Sequence, residues 1–142
     1  MNEPQSATER PEVELLPLQQ LTISRRIWAR GQPSKLLSGD DMKLCCVGIY
    51  LRACGVADDA LAERRDVDDL MENKNFTLPP RARWLWTTAA QRFVRKEVDE
   101  LYLVNDSDST GTSYHIIGEE ERERALVTLF RTLGNVEVAF AD

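Results

Sequence analysis

The chain has 142 residues, 42% of them hydrophobic, and a formal net charge of -6. That size fits one domain around a single core, and that composition excludes a disordered chain. The acidic balance argues against a general nucleic-acid binder, which needs a basic face to displace counterions, and it favours partners that are basic or neutral.

Three cysteines, two of them adjacent, do not make a secreted disulfide framework and fit free thiols in a reducing compartment. The opening M-N-E-P-Q-S-A-T-E-R-P-E-V-E is polar and acidic, unlike a leader peptide, and no apolar run reaches membrane-span length. The expectation is a soluble, cytoplasmic protein without a membrane partner. Residues 1–14 read as a flexible arm, and 15–142 as a single globular domain.

Leu18 to Ile23 has β-type residues in partial alternation and predicts a short strand. Ser24 can cap a helical turn over Arg25–Arg30 that presents Ile27 and Trp28, and Gly31 stops it. After the loop Gln32–Lys35, Leu36-Leu37 forms an apolar plug. Ser38 or Asp40 can then cap the main helix, predicted over Asp41–Cys54 and closed by Gly55. Gly48 in its middle costs about 1 kcal/mol against alanine. The close approach of another backbone or of a ligand would explain it.

Val56–Lys74 is acidic and polar, with short helices expected near Asp58–Arg64 and Val67–Glu72. A break at Asn75–Pro80 precedes a longer helix, predicted from Pro80 or Arg81 to Leu101. Asn105-Asp106 follows that helix and leads into a loop over Ser107–Ser113, with Tyr114–Ile117 as a short strand or re-entry. The last helix has an acidic first turn. Its Leu126, Leu129, Phe130 and Leu133 stand at i, i+3, i+4 and i+7, and Gly134 is expected to end it. Val136–Phe140 alternates as a strand. The predicted class is α+β, mainly helical: three main helices around a central Cys/Gly-containing helix, with a small terminal β-sheet where the first and last strands pair.

W-x-R-G at Trp28–Gly31, Leu36-Leu37, C-C-V-G at Cys45–Gly48, C-G at Cys54-Gly55, N-D at Asn105-Asp106 and V-E-V-x-F at Val136–Phe140 together resemble a group of small uncharacterised proteins of bacteriophages and prophage regions. The resemblance spans roughly residues 20 to 140. It implies a context rather than an activity: a small accessory protein of mobile-element origin, of the kind that acts on host defence or host regulation.

Candidate chemistry is sparse. Cys45 and Cys46 near a helix start could carry a nucleophile, but Asp40 and Asp41 would raise their pKa and the apolar neighbours suggest a buried wall. Adjacent cysteines point about 100° apart, with Cys54 about 12 Å further along, so no metal site is expected. No P-loop, G-x-G-x-x-G, G-x-S-x-G or H-E-x-x-H occurs. No catalytic residue or cofactor is assigned.

Two binding readings remain. Trp28, Arg30, Gly48, Asn105 and Asp106 could line a pocket for a nucleotide-like molecule, although Asn and Asp also make turns and caps. Alternatively, Asp58, Asp59, Glu63, Asp66, Asp68, Asp69 and Glu72 place seven carboxylates within fifteen residues. Such a face could dock on a basic surface of a host protein or protein–nucleic acid complex.

Overall fold

The computed structural model describes residues 18–86, 92–107 and 118–142, with side chains left aside over 92–97. The predicted arm, most of the 107–113 loop and the Tyr114–Ile117 segment lie outside the described residues. Among the described residues, two strands, β1 (Gln20–Ser24) and β2 (Glu137–Ala141), flank five α-helices in chain order: α1 (Cys46–Ala53), α2 (Asp58–Leu61), α3 (Val67–Met71), α4 (Arg92–Asp106) and α5 (Glu119–Gly134). A 3-10 helix spans Pro80–Leu85. The architecture is a mainly helical α+β fold with a small sheet.

The sheet is a parallel pair, with Leu21 opposite Val138 and Ile23 opposite Phe140. Alternation decides its faces. Leu21 and Ile23 are buried while Gln20 and Thr22 are exposed, because successive strand residues point to opposite sides. Helix α1 packs on α4 and β1, and α5 packs on α4 and β2. Tyr50, Trp84 and Phe130 form one aromatic cluster with ring centroids 5.3 to 6.0 Å apart. It joins α1, the 3-10 helix and α5.

The central helix starts later than its capping residues predict, at Cys46 rather than Asp41. Neither Ser38 nor Asp40 caps it. Residues 38–43 are folded into a turn in which Met42 is left-handed at φ 61. Met42 N donates to Ser38 O at 2.9 Å, and Ser38 N donates to Lys43 O at 2.9 Å. Leu44 then forms a parallel bridge with Trp28, so the chain there is extended. Cys45 becomes the N-cap, its Sγ accepting from Gly48 N at 3.4 Å. The same bridge explains why Arg25–Arg30 is not a helical turn as predicted: the turn ends at Ile27, and Trp28 belongs to the bridge.

The predicted helix from Arg81 to Leu101 divides. Pro80 opens a 3-10 helix and Trp86 is extended at φ -113, ψ 110. The described α-helix runs from Arg92 to Asp106, five residues past its predicted end. Asn105 and Asp106 therefore occupy its last turn instead of a following loop. The acidic helices are shorter than predicted, ending at Leu61 and Met71. Gly134 lies inside α5, and Asn135, left-handed at φ 56, makes the cap. Glycine at 134 serves packing: a Cβ there would stand 2.6 Å from the Trp84 ring.

Gly48 meets a backbone. A Cβ would fall 1.9 Å from the Leu36 carbonyl oxygen. That carbonyl belongs to the buried plug Leu36-Leu37, which pairs with the 62–64 segment: Leu36 N donates to Arg64 O, and Glu63 N to Leu37 O. The main chain cannot swing aside as a side chain could. Gly48→Ala is expected to cost about 3 kcal/mol or more, whereas Gly118→Ala, with nothing within 4 Å, changes stability by less than about 1 kcal/mol. Urea denaturation followed by circular dichroism separates the two. Equal stability of both variants would contradict the close approach.

Candidate functional site

The Asn105 carboxamide gathers three chain segments. Its Oδ1 accepts from Trp28 Nε1 at 2.7 Å and from Cys46 N at 3.0 Å. Its Nδ2 donates to Ala29 O at 3.0 Å and to Asp106 Oδ1 at 2.9 Å. Its backbone carbonyl accepts from Gly31 N at 2.9 Å, where φ of +81 suits glycine. The side chain is fully buried and has spent both lone pairs and both amide hydrogens. The bond from Cys46 N also caps the backbone of α1 from the side, supplying an acceptor that the helix start would otherwise lack.

Of the five residues proposed for a ligand pocket, four come together and one does not. Arg30 lies over the Trp28 ring, its guanidinium carbon 4.4 Å from the centroid. It also donates to Arg25 O at 3.2 Å and Trp28 O at 3.1 Å. Phe140 packs against Trp28 with centroids 5.2 Å apart. The indole, 1% exposed, is thus engaged by residues of its own chain. Gly48 stands apart from this group, with Leu36 filling the space beside it.

Beside Arg30 opens a cleft of about 290 Å³, lined by Trp28, Arg30, Gln32, Asp41, Lys43 and Glu119 among others. Both signs of charge line it. Glu119 bridges two arginines: Arg30 Nε donates to its Oε1 at 3.0 Å, and Arg122 pairs with its Oε2. Burial pushes Glu119 up, but these two arginines more than offset it, so its carboxyl sits below the usual range. Arg122 is completely buried and donates to Val104 O at 3.2 Å and to Ser107 O. It therefore neutralises Glu119 and satisfies carbonyls at the end of α4 together.

Asp106 is partly buried beside this network. Burial raises its carboxyl above the ordinary range, and hydrogen bonds from Asn105 and Ser34, with the charge of Arg122, oppose that rise. The cysteines are poorly placed for nucleophilic work. Burial pushes the Cys45 thiol up to about 12 and the Cys54 thiol up to about 11, and holds Cys46 well above its ordinary value. A thiolate is the reactive form, so all three are held in the inert one. Among the described residues, no group of three or more His, Cys, Asp or Glu could hold a metal ion.

The acidic segment is largely occupied with its own structure. Asp58 accepts two hydrogen bonds from Arg52, at 2.9 and 2.8 Å. Glu63 pairs with Lys35 and accepts from Gly39 N at 2.6 Å. Asp66 caps α3 by accepting from Asp69 N at 2.8 Å. Asp69 accepts from Arg65 N at 2.9 Å and pairs with Arg64 at 3.5 Å. The arginine and lysine partners, with these backbone N–H groups, hold the Asp58, Glu63 and Asp69 carboxyls below the usual range. Asp59 and Glu72 are exposed, and Asp66 and Asp68 line a small niche with Asp99 and Tyr102.

Arg122 and Glu119 escape a reading by composition, because E-E-E-R-E-R looks like a solvated acidic turn. One signal was present: Arg122 stands at i−4 from Leu126, on the stripe that continues to Phe130. No protein-family profile, curated protein or solved structure matches the chain.

Asn105→Ala would leave buried Trp28 Nε1 and Cys46 N without acceptors. At about 1–3 kcal/mol for each stranded group, chemical denaturation should show a loss of about 3 kcal/mol, and a loss below about 1 kcal/mol would contradict the hub. Asp106→Asn acts in the opposite direction. Because the folded-state pKa of Asp106 is raised, its stabilising contribution is complete below the ordinary carboxylate pKa and is lost as pH rises through the folded value. Asparagine cannot ionise and keeps an acceptor for Asn105 and Ser34. Asp106→Asn should therefore match or exceed the parent Tm at pH 7, and the difference should shrink below about pH 4. A deficit at pH 7 that vanishes in acid would reverse the assigned sign.

Proposed function

We propose that the protein is a non-enzymatic binding protein, a small acidic accessory protein of phage type that inhibits or modulates a macromolecule of the bacterial host cytoplasm, a component of host defence being the leading class. The supporting observation is the fixed acidic array over α2 and α3. Seven carboxylates stand against four cations, Arg64 and Arg65 within Asp58–Glu72 and Arg52 and Lys35 reaching it from outside, and internal caps and ion pairs hold Asp58, Glu63, Asp66 and Asp69 in set positions. An array already ordered loses little side-chain entropy when it docks. A basic protein surface, such as one that normally takes nucleic acid, has the matching charge.

The structure changes which residues test this reading. Asp58, Glu63, Asp66 and Asp69 carry structural bonds, so reversing them would perturb the fold together with the face. Asp59 and Glu72 carry charge outward on the same segment. The pocket alternative, a nucleotide-like ligand, has the cleft beside Arg30 in its favour, where Gln32, Asp41 and Lys43 supply polar groups. With the Trp28 ring already covered, such a ligand would have no stacking surface there.

Affinity capture from a nuclease-treated bacterial lysate should recover one stoichiometric protein with the parent chain and lose it with Asp59→Lys/Glu72→Lys. The variant should keep a Tm within about 2 °C of the parent, since exposed surface positions rarely move stability much. Retention of the partner by the double variant would remove the acidic face. Stabilisation of the parent by a nucleotide in a thermal-shift screen, with no captured protein, would favour the cleft.

A further inference from the structure

Among the described residues, the edge of β2 away from β1 has no strand beside it. In the parallel ladder, Glu137 N donates to Gln19 O at 2.9 Å and Arg25 N donates to Ala141 O at 2.7 Å. With Gln20 opposite Glu137 and Ser24 opposite Ala141, the odd-numbered residues of β2 face β1. The N–H and C=O groups of Val138 and Phe140 consequently point away from it, and no hydrogen bond of the described residues takes them. Edges of this kind are normally blocked by proline, lysine or a bulge. Residues 137–141 read E-V-A-F-A and have none of these.

Alongside this edge lies a groove of about 490 Å³, lined by Glu120, Glu123, Arg124, Val127, Thr128 and Phe140. Its floor is apolar and its rim carries both signs. Charge on α5 is polarised along the helix: Glu119, Glu120, Glu121 and Glu123 crowd the first turns, and Arg124 and Arg131 follow, Arg124 standing 3.8 Å from Glu120, Arg131 paired with Glu137 and Glu123 with Arg25. Two such helices laid antiparallel bring the acidic end of each toward the basic end of the other.

We propose that β2 pairs antiparallel with β2 of a second copy of this chain, joining the two sheets into one of four strands in the order β1-β2-β2-β1. The edge is self-complementary about Ala139. Val138 of one copy stands opposite Phe140 of the other, and each such pair exchanges both backbone hydrogen bonds. A two-fold axis repeats the contact with the roles exchanged, as an isologous interface requires. The charge pattern of α5 selects a second copy over an unrelated strand, because it matches its own reverse. It also places opposite charges together at the contact, against the repulsion of two chains that each carry -6.

Sedimentation velocity of the full chain over about 1–100 µM should show a monomer–dimer equilibrium. Val138→Pro removes one outward N–H and no bond to β1, so it should raise the dimer Kd at least about tenfold while leaving the Tm and circular dichroism spectrum close to those of the parent. Thr128→Arg, a change at an exposed groove position, should weaken the dimer in the same way and serves if the proline variant does not fold. A parent chain that stays monomeric across the range overturns the proposal. So does a folded Val138→Pro or Thr128→Arg protein that dimerises as the parent does.

Discussion

One buried carboxamide decides where the ends of several segments lie. Asn105 bonds the indole of Trp28, the first backbone N–H of α1 and the carbonyl of Ala29. Each of these would otherwise be a polar group in an apolar interior, at about 1–3 kcal/mol apiece. An aspartate could not donate to Ala29. The requirement for two donors and a doubly used acceptor at one point fixes the relation of the Trp28–Gly31 segment to α1 and α4. The turn at Gly31 and the stacked Arg30 depend on that relation.

A second level of organisation rests on close approach. At Gly48 the neighbour is the Leu36 backbone, and at Gly134 it is the Trp84 ring. Both contacts use the missing Cβ to bring a non-adjacent segment against a helix. The first seats the plug Leu36-Leu37, which then pairs with the acidic segment. The second seats the aromatic cluster between α1 and α5. Gly48 and Gly134 thus do different work from Gly31, whose value is conformational.

Periodicity made the framework readable. The stripe Leu126–Leu133 marks α5, and alternation at each end marks the two strands. Gly48 signalled close approach through the propensity it sacrifices. The start of α1 was not legible, because Ser38 and Asp40 offer good local caps and tertiary pairing of Leu44 with Trp28 overrides them. The end of α4 was hidden for a related reason: Asn105 and Asp106 look like turn residues until their buried partners are known. Arg122 shows the same limit. A cation among glutamates reads as solvent-facing, and only the apolar stripe on which it sits reveals that it is buried. The acidic run was visible as a charge count, but the division between structural and outward-facing carboxylates depends on Arg52, Lys35, Arg64 and Arg65 reaching them in space.

The parallel pairing of β1 with β2 has a consequence for how the protein is made. Gln20 meets Glu137 across nearly the whole chain, so the sheet is among the most non-local contacts the fold contains. Closing so long a loop carries an entropic cost before any contact rewards it, and such pairings slow folding. On the ribosome, β1 emerges early and must wait, its ladder N–H and C=O groups without their strand partner, until β2 has been synthesised. Completion of the sheet therefore waits for β2 to emerge, and the waiting interval is when this chain is most open to capture by a chaperone or a protease.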